Sequence, residues 1–588
     1  MEQAAGSRAL WAVRMLDASA REASGLLHGV RYHLGSFDAC ISAAEMSPVG
    51  TRYCLVGVSY RGHQGSTPGT KSWEMVSELS PHQNASDILN GAGMAPGLLP
   101  LGDARLALCV PRSCGASELQ RALQAGLGEA ADAVRVTVLP EYCQEHAVVT
   151  RPLSTRAKLF WILMATLTAT TIAAPALGWK SWDWRRHLRT LRVPDPAVCG
   201  LDLSALSGIR TVNAMLLLGM HHCVLMPRTA ITNYDLFTNQ LQARTDHPLA
   251  YRSVLFVDTF YFLAGLLLGL TSLNKKEPFW KLLANRLLRV VPVYAAVLLW
   301  YCIAMPETSS GPLWAEFVKA FSDPCKRWWW TNLLFVNNYV NGGLGEPMCM
   351  EHSWSLPVDM QMFVVGSLVS ALVPGGVPGL RTLGVLTLLS TLPLSLSALW
   401  GRWPGLVRFT QSTLSRGPQV EPLFFLAYIP THMRAAPYLA GLLAGRALPL
   451  LKERGFHPGH ASSLLAVLGS VLCLGAIIFA TAPLDDLRRP HDPIGAVMVA
   501  GLTPLAWSAS LAVLVGSLVL GEQTVVRSFL AWQPLVTLSR LTFAMYLVSY
   551  PLQAVLNASI RSPIHLTISF VVRTNERCTA LLNEYITC

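Results

Sequence analysis

The feature that most constrains the fold is a series of apolar stretches, each about as long as a helix that crosses a lipid bilayer. Such a helix needs about 20 mainly apolar residues. Because 52% of the 588 residues are hydrophobic and only 14% are charged, the chain has too little polar surface for a soluble protein of this length. We therefore predict an all-α polytopic membrane protein with about ten transmembrane helices. The predicted spans are 158–179, 206–227, 253–272, 284–305, 358–374, 382–400, 436–451, 461–483, 496–520 and 536–556.

The second of these stretches carries polar side chains that are costly at membrane depth. Arg210, Asn213, His221 and His222 interrupt an otherwise apolar helix, and ionisable groups in such helices usually face a cavity or a partner. Eleven positions separate Arg210 from His221, so the two share a helix face about 16 Å apart along the axis, whereas His222 points about 100° away. Two interpretations fit this spacing: the wall of a site that crosses half a membrane, or a snorkelling arginine with a hydrogen-bonded packing histidine.

The distribution of basic residues predicts the orientation in the membrane. The first span is followed by more positive charge than precedes it, and the positive-inside rule then places residues 1–150 outside the cytosol and loop 180–205 inside. The net charge of +11 marks cytosolic loops rather than a nucleic-acid surface, since no basic run is interleaved with aromatic residues. We predict a multi-pass protein of the endoplasmic reticulum or plasma membrane, with a lumenal or extracellular N-terminal domain. The basic cluster is Lys180, Arg185, Arg186, Arg189 and Arg192.

Cysteines and glycosylation sequons agree with this orientation. The loop between the fourth and fifth spans contains Cys325 and Cys349, which we expect to be bonded to each other, and Asn84 and Asn557 head sequons on the predicted outer side. Five cysteines precede the first span, too irregularly spaced for a zinc site. They predict disulfides whose pairing stays open, with one cysteine left over. These five are Cys40, Cys54, Cys109, Cys114 and Cys143.

Motifs for other chemistries are absent from the sequence. It contains no HExxH motif, glycine-rich phosphate loop or Gly-x-Ser-x-Gly turn, so we predict neither a metal site nor a permanently bound cofactor. The motifs Gly265-x-x-x-Gly269 and Gly441-x-x-x-Gly445 lie in predicted spans, where such spacing is typical of close helix packing.

Several motifs, in the same order, resemble the acyltransferase 3 family of integral membrane proteins and its nose resistant to fluoxetine branch. The first is Ser207-Gly-Ile-Arg210, followed by His221 after eleven positions. The N-terminal stretches Leu34–Cys40 and Leu108–Cys114 resemble the amino-terminal domain of that branch. Further resemblances lie at 256–267, 285–292, 350–361, 428–438 and 538–551.

This resemblance implies a division of the chain into four parts. Residues 1–150 form the extracytoplasmic domain, which we expect to be truncated at its front because the branch carries a signal peptide there. Residues 151–205 comprise the first span and the basic loop, 206–556 the acyltransferase 3 membrane domain, and 557–588 a divergent tail in place of the family's last helix. Departures from the family pattern occur at Ala264, Ser355 and Ser549.

The resemblance also implies a chemistry: transfer of an acyl group from acyl-coenzyme A to an unidentified hydroxyl acceptor, with membrane lipids as surroundings and no nucleic acid as partner. In this scheme His221 is the general base, Asp258 orients it, and Arg210 binds phosphate or stabilises negative charge. Arg286 and Arg289 share a helix face and grip the donor's phosphates, although positive-inside anchoring explains them equally well. The alternative function is a non-enzymatic lipid carrier on the same membrane scaffold.

Overall fold

The computed structural model describes most of the chain as an N-terminal α/β domain that packs on one end of a helical bundle. The described residues are 9–20, 30–60, 104–132, 134–193, 197–233, 254–274, 278–340, 347–401, 423–480 and 492–566, together with Trp403 and Gly405.

The N-terminal domain contains a four-stranded sheet, so the predicted all-α class holds for the helical bundle and not for this domain. The sheet order is β1-β3-β2-β4, with β2 antiparallel to both of its neighbours and β1 parallel to β3. In β4 the valines 134, 136 and 138 alternate with polar residues, the two-residue period of a strand. The elements are α1 (Leu10–Ala18), β1 (Tyr32–His33), α2 (Phe37–Ser42), β2 (Thr51–Tyr60), β3 (Ala104–Pro111), α3 (Ala116–Gly126), β4 (Val134–Glu145) and α4 (His146–Val149), with 3₁₀ turns at Ala43–Glu45 and Gly128–Asp132.

Two disulfides hold this domain together. Cys40 is bonded to Cys109, which joins α2 to β3, and Cys54 is bonded to Cys143, its facing residue on the neighbouring strand. Cys114 has no disulfide partner among the described residues, as expected for an odd number of cysteines.

Helices make up the described chain after this domain. They are α5 (Thr155–Ala173), α6 (Trp184–Arg192), α7 (Ser204–Leu225), α8 (Val254–Asn274), α9 (Phe279–Leu299), α10 (Trp314–Phe321), α11 (Asp323–Leu333), α12 (Asn337–Val340), α13 (Ser355–Leu372), α14 (Gly376–Leu389), α15 (Leu392–Gly401), α16 (Ala435–Glu453), α17 (His460–Ala480), α18 (Pro493–Leu520), α19 (Val525–Leu530), α20 (Gln533–Ser539) and α21 (Thr542–Ala558). Short 3₁₀ or π segments occur at Met226–Arg228, Trp300–Ala304, Met305–Glu307, Glu351–Trp354, Phe424–Tyr428 and Thr431–Arg434.

Seven helical segments in the described ranges are long and apolar enough to cross a membrane, or eight if α20 and α21, bent by 69°, form one span. The described ranges therefore do not confirm the expected count of about ten. The predicted spans 158–179 and 436–451 coincide with α5 and α16, which carry charged residues within their length and do not qualify. The seven segments are Ser204–Arg228, Leu255–Leu273, Phe279–Glu307, Glu351–Leu372, Gly376–Gly401, His460–Ala480 and Pro493–Leu520.

Helices α8 and α16 cross at the two glycine motifs. A Cβ atom added at Gly265 would lie 2.0 Å from the carbonyl oxygen of Tyr438, and one added at Gly441 would lie 2.0 Å from that of Phe262. Both distances are far below van der Waals contact, so the two backbones approach this closely only because glycine has no side chain. The predicted packing role of these motifs is confirmed.

Helix α7 is fixed to its neighbours through its N-terminal half. The Thr211 hydroxyl donates to the Leu535 carbonyl at 2.7 Å, and the Asn213 amide donates to the Phe256 carbonyl at 2.8 Å. These bonds satisfy polar groups that would otherwise be costly inside the bundle. They also fix the rotation of α7 and hence the directions in which its later residues point.

The N-terminal domain packs on the segment that follows α9. The Gln144 amide donates to the Gly311 carbonyl at 2.9 Å, and Lys319 of α10 binds Glu141 of β4. The hydrogen bond from Lys319 lowers the pKa of Glu141, and the same bond raises the pKa of Lys319. Ala230, five residues after the end of α7, belongs to the same buried cluster as Met15 and Phe37 of this domain. The domain therefore lies at the end of the bundle to which the C-terminus of α7 points, here called the domain end.

The two predicted glycosylation sites have different outcomes. Asn84 lies outside the described residues. Asn557 lies in the last turn of α21, where its side chain is 6% exposed and its amide nitrogen is buried. A glycan needs an exposed amide, so this burial corrects the expectation of glycosylation at Asn557.

Candidate functional site

A cavity of about 50 Å³ lies against the C-terminal half of α7 and contains one of the two adjacent histidines. His221 lines it, whereas His222 is buried elsewhere, 1% exposed, with both ring nitrogens lacking hydrogen-bond partners in the described chain. The lining residues are Leu217, Met220, His221, Val224, Val257, Glu351, His352, Trp354, Ser355, Phe424, Tyr428, Tyr546 and Tyr550.

Aromatic rings surround the His221 imidazole. Its centroid lies 5.2 Å from that of Tyr550, 6.0 Å from Tyr546 and 6.2 Å from His352. Its Nδ1 atom is buried and has no hydrogen-bond partner among the described residues. No hydrogen bond from a described carboxylate orients the imidazole, so its orientation is set by packing against the neighbouring rings.

The carboxylate at this cavity is Glu351, which the sequence analysis did not select. Its Oε1 atom accepts a hydrogen bond from the Tyr550 hydroxyl and another, at 2.5 Å, from Arg228 Nη1. Glu351 is 7% exposed and the Arg228 side chain 15%. Arg228 directly follows the predicted span 206–227, and Glu351 lies seven residues before the span 358–374. Charged residues of opposite sign so close to spans are a signal that would have pointed to them, because such residues usually pair.

A strained turn aims the segment Glu351–Trp354 at the cavity. Met350 adopts a left-handed conformation with φ +51°, which is uncommon for a residue other than glycine. The preceding Cys349 is bonded to Cys325, and its carbonyl accepts a hydrogen bond from Asn332 at 3.1 Å. The disulfide predicted between these two cysteines thus lies next to the residues that shape the cavity.

Asp258 does not contact His221 as the sequence analysis expected. Its buried carboxylate is bound by Arg434, with Nη1 3.3 Å from Oδ1 and 3.4 Å from Oδ2. Arg434 in turn donates to the Tyr428 carbonyl at 2.7 Å and stacks 4.2 Å from the Tyr428 ring centroid. Asp258 thus acts on the cavity indirectly, by fixing the arginine that packs on a lining tyrosine.

The two arginines assigned to phosphate binding do not present a common face to a ligand. Arg286 is paired with Asp359 of α13 and lies 4.6 Å over the Phe363 ring, whereas Arg289 is exposed. The expectation that both arginines bind the same phosphates is therefore corrected. Arg286 lies between α9 and α13 and is bound to Asp359, whereas Arg289 points to the outside of the bundle. Arg210 lies on the same continuous helix as His221, toward the opposite end of the bundle.

Two departures from the expected family pattern lie close to the aromatic residues. Ser355 Oγ is 2.9 Å from the Tyr546 hydroxyl, which itself donates to the His352 carbonyl. Ser549 is buried, and its hydroxyl donates to the Tyr546 carbonyl at 3.5 Å. Ser355 therefore positions the Tyr546 hydroxyl, whereas the bond of Ser549 lies within α21. Ala264 is half-buried in the hydrophobic core around α8.

A larger cavity, of about 710 Å³, is lined by two cations beside the loop that precedes α7. Arg446 donates to the Val373 carbonyl at the end of α13, and Lys452 donates to the Gly200 carbonyl at 2.6 Å. Across the described ranges, no group of three or more His, Cys, Asp or Glu side chains is arranged to hold a metal ion.

Comparisons with known proteins cover most of the chain. Residues 204–573 match the acyltransferase 3 family, described as an acyltransferase domain, and residues 1–123 match the nose resistant-to-fluoxetine protein, N-terminal domain. The chain is 24% identical over 400 residues to nose resistant to fluoxetine protein 6 of Caenorhabditis elegans. The aligned region covers 62% of this chain and 47% of that relative. The chain thus spans about half the length of this relative. No solved structure matches.

Proposed function

Because the chain belongs to the acyltransferase 3 family, we propose that it transfers an acyl group from acyl-coenzyme A to a hydroxyl acceptor at the His221 cavity. The observation that carries this proposal is the environment of His221. Both adjacent histidines on α7 have buried ring nitrogens without partners in the described chain, but only His221 lines the cavity. A neutral imidazole in such a place is suited to accept a proton.

The reaction needs one base and one oxyanion donor. His221 takes the proton of the acceptor hydroxyl, whose oxygen attacks the thioester carbonyl; the C–O bond forms, the C–S bond breaks, and the leaving thiolate takes the proton back. The products are an ester and free coenzyme A. Arg228 is bound to the lining residue Glu351 and lies behind the cavity wall. Its positive charge there favours the developing oxyanion.

The remaining candidates have supporting roles. Asp258 positions Arg434 and through it Tyr428, and Arg286 braces α9 against α13. Arg210, the exposed Arg289 and the cations of the larger cavity bind the phosphates of the donor, because guanidinium and ammonium groups are the usual phosphate ligands. The donor then binds at the end of the bundle opposite the N-terminal domain and the acceptor near His221, so the two substrates enter from different ends.

This proposal includes a membrane arrangement of ten spans with the domain end outside the cytosol. The disulfides at that end favour an oxidising compartment, and the basic helix α6 belongs to the loop that the positive-inside rule assigns to the cytosol. The alternative is a non-enzymatic lipid carrier on the same membrane scaffold, and the match to an acyltransferase domain over residues 204–573 favours the enzyme over it.

The experiment is acyl transfer by the protein in membrane vesicles. Vesicles with and without the protein receive acyl-coenzyme A labelled in the acyl group, and the label is followed into lipids and other hydroxyl compounds. We expect label in an ester that hydroxylamine cleaves. Unchanged acyl-coenzyme A with continued lipid movement between leaflets would instead establish the carrier function.

A further inference from the structure

The short helix α6, at the opposite end of the bundle from the N-terminal domain, is amphipathic, and the described protein does not cover its apolar side. Trp184 and Leu188 lie within about 40° of one another around the helix axis, and they are 37% and 39% exposed. Trp179 and Trp182, in the turn leading to the helix, are 51% and 45% exposed. Tryptophan is the side chain most typical of the boundary between lipid and water.

The other side of α6 is strongly positive. Arg185, Arg186 and Arg189 lie between about 100° and 200° from Trp184 around the axis, and all three are exposed. No salt bridge within the described ranges involves them. The Arg185 guanidinium lies over the ring of Trp184, with Cζ 5.6 Å from the ring centroid. Their charge is thus available to an external anion.

The position of α6 is fixed by the protein. The Asp183 carboxylate caps its first turn by accepting from the Arg185 amide at 2.9 Å. At its other end, Arg540 donates to the carbonyls of Thr190 and Val193. Arg540 lies at the break between α20 and α21, and α21 carries Tyr546 and Tyr550 of the cavity. Both ends of α6 are therefore anchored by hydrogen bonds, and its arginines lie at a fixed position next to the membrane-spanning helices.

We propose that α6 is a binding site for anionic phospholipid headgroups. An apolar edge with tryptophans and an adjoining face of arginines match the two parts of a lipid surface, acyl boundary and phosphate. The phosphate of a soluble molecule would use the arginines alone and leave the apolar edge uncovered. The lipid is therefore the occupant that both faces of the helix favour.

The test is titration of the full chain in detergent with short-chain phosphatidylserine or phosphatidylcholine, with bound lipid counted by native mass spectrometry. Each arginine near an anionic surface contributes about a fivefold factor in affinity. The triple variant Arg185→Gln, Arg186→Gln, Arg189→Gln should therefore bind phosphatidylserine at least about fivefold more weakly. The same three positions changed to lysine should retain binding, which separates charge from a folding effect.

The matched control is Arg156→Gln with Lys158→Gln in α5, which should bind like the wild type. Coenzyme A and inorganic phosphate at equal phosphate concentration should leave bound phosphatidylserine in place. Equal affinity for the two lipids, unchanged binding by the triple glutamine variant, or displacement by coenzyme A would each overturn the proposal.

Discussion

Replacing Glu351 with glutamine tests the ion pair at the cavity wall. The substitution keeps the shape of the side chain but removes the charge that neutralises Arg228, which is only 15% exposed. Removing one partner of a buried ion pair typically costs about 3–5 kcal/mol, because the other charge stays in the interior. The glutamine oxygen still accepts a hydrogen bond, so we expect Glu351→Gln to lower the free energy of unfolding by about 3 kcal/mol.

The assay is unfolding in mixed detergent and dodecyl sulfate micelles, followed by circular dichroism. Asp323→Asn is the control, because Asp323 and Lys326 form an exposed pair, 52% and 47% accessible, worth less than about 1 kcal/mol. Adding Arg228→Met to Glu351→Gln should restore most of the loss. Equal losses of unfolding free energy in Glu351→Gln and Asp323→Asn would refute this reasoning. A double variant less stable than Glu351→Gln would refute it as well.

Three further predictions follow from local geometry. Gly445→Ala should destabilise the bundle by about 1–3 kcal/mol, because its Cβ would lie 2.2 Å from a backbone oxygen; Gly516→Ala, with 3.9 Å of clearance, should be neutral or stabilising in the same unfolding assay. Replacing both Cys325 and Cys349 with serine should cost about 3 kcal/mol, since their bond closes a loop of 24 residues. Burial lowers the pKa of His33, so its contribution to stability is complete above pH of about 6.5 and declines as the pH falls toward the lower folded-state pKa. Hydrogen exchange of β1 and β3 should therefore accelerate, after correction for intrinsic rates, between pH 7.5 and 5.5, and less so in His33→Gln.

The features that the sequence predicted well depend on local spacing or on residue type. Two glycines four positions apart indicate close packing wherever the partner helix lies, and two cysteines in one loop have few other partners. The helical register predicted different directions for His221 and His222, and on the continuous helix α7 only His221 lines the cavity.

The features that the sequence missed depend on long-range partners. Asp258 was expected beside His221 because both were placed near one end of their helices, but Arg434, 176 positions later, binds it instead. Glu351 is directed to the cavity by the left-handed turn at Met350. The sequence around this turn does not predict it, because the residue in the left-handed conformation is not a glycine. The sheet was missed because the cysteines, rather than the two-residue alternation in β4, guided the interpretation of that domain.

The most direct test of the account compares His221→Gln with His222→Gln in the acyl transfer assay, at equal amounts of folded protein. Both side chains lie near the C-terminal end of α7, where His222 is buried and His221 is half-buried, but only His221 lines the cavity. Loss of a general base lowers the rate by a factor of about 100 to 10,000. We predict a loss of that size in His221→Gln and near wild-type transfer in His222→Gln; equal rates in the two variants would contradict the account.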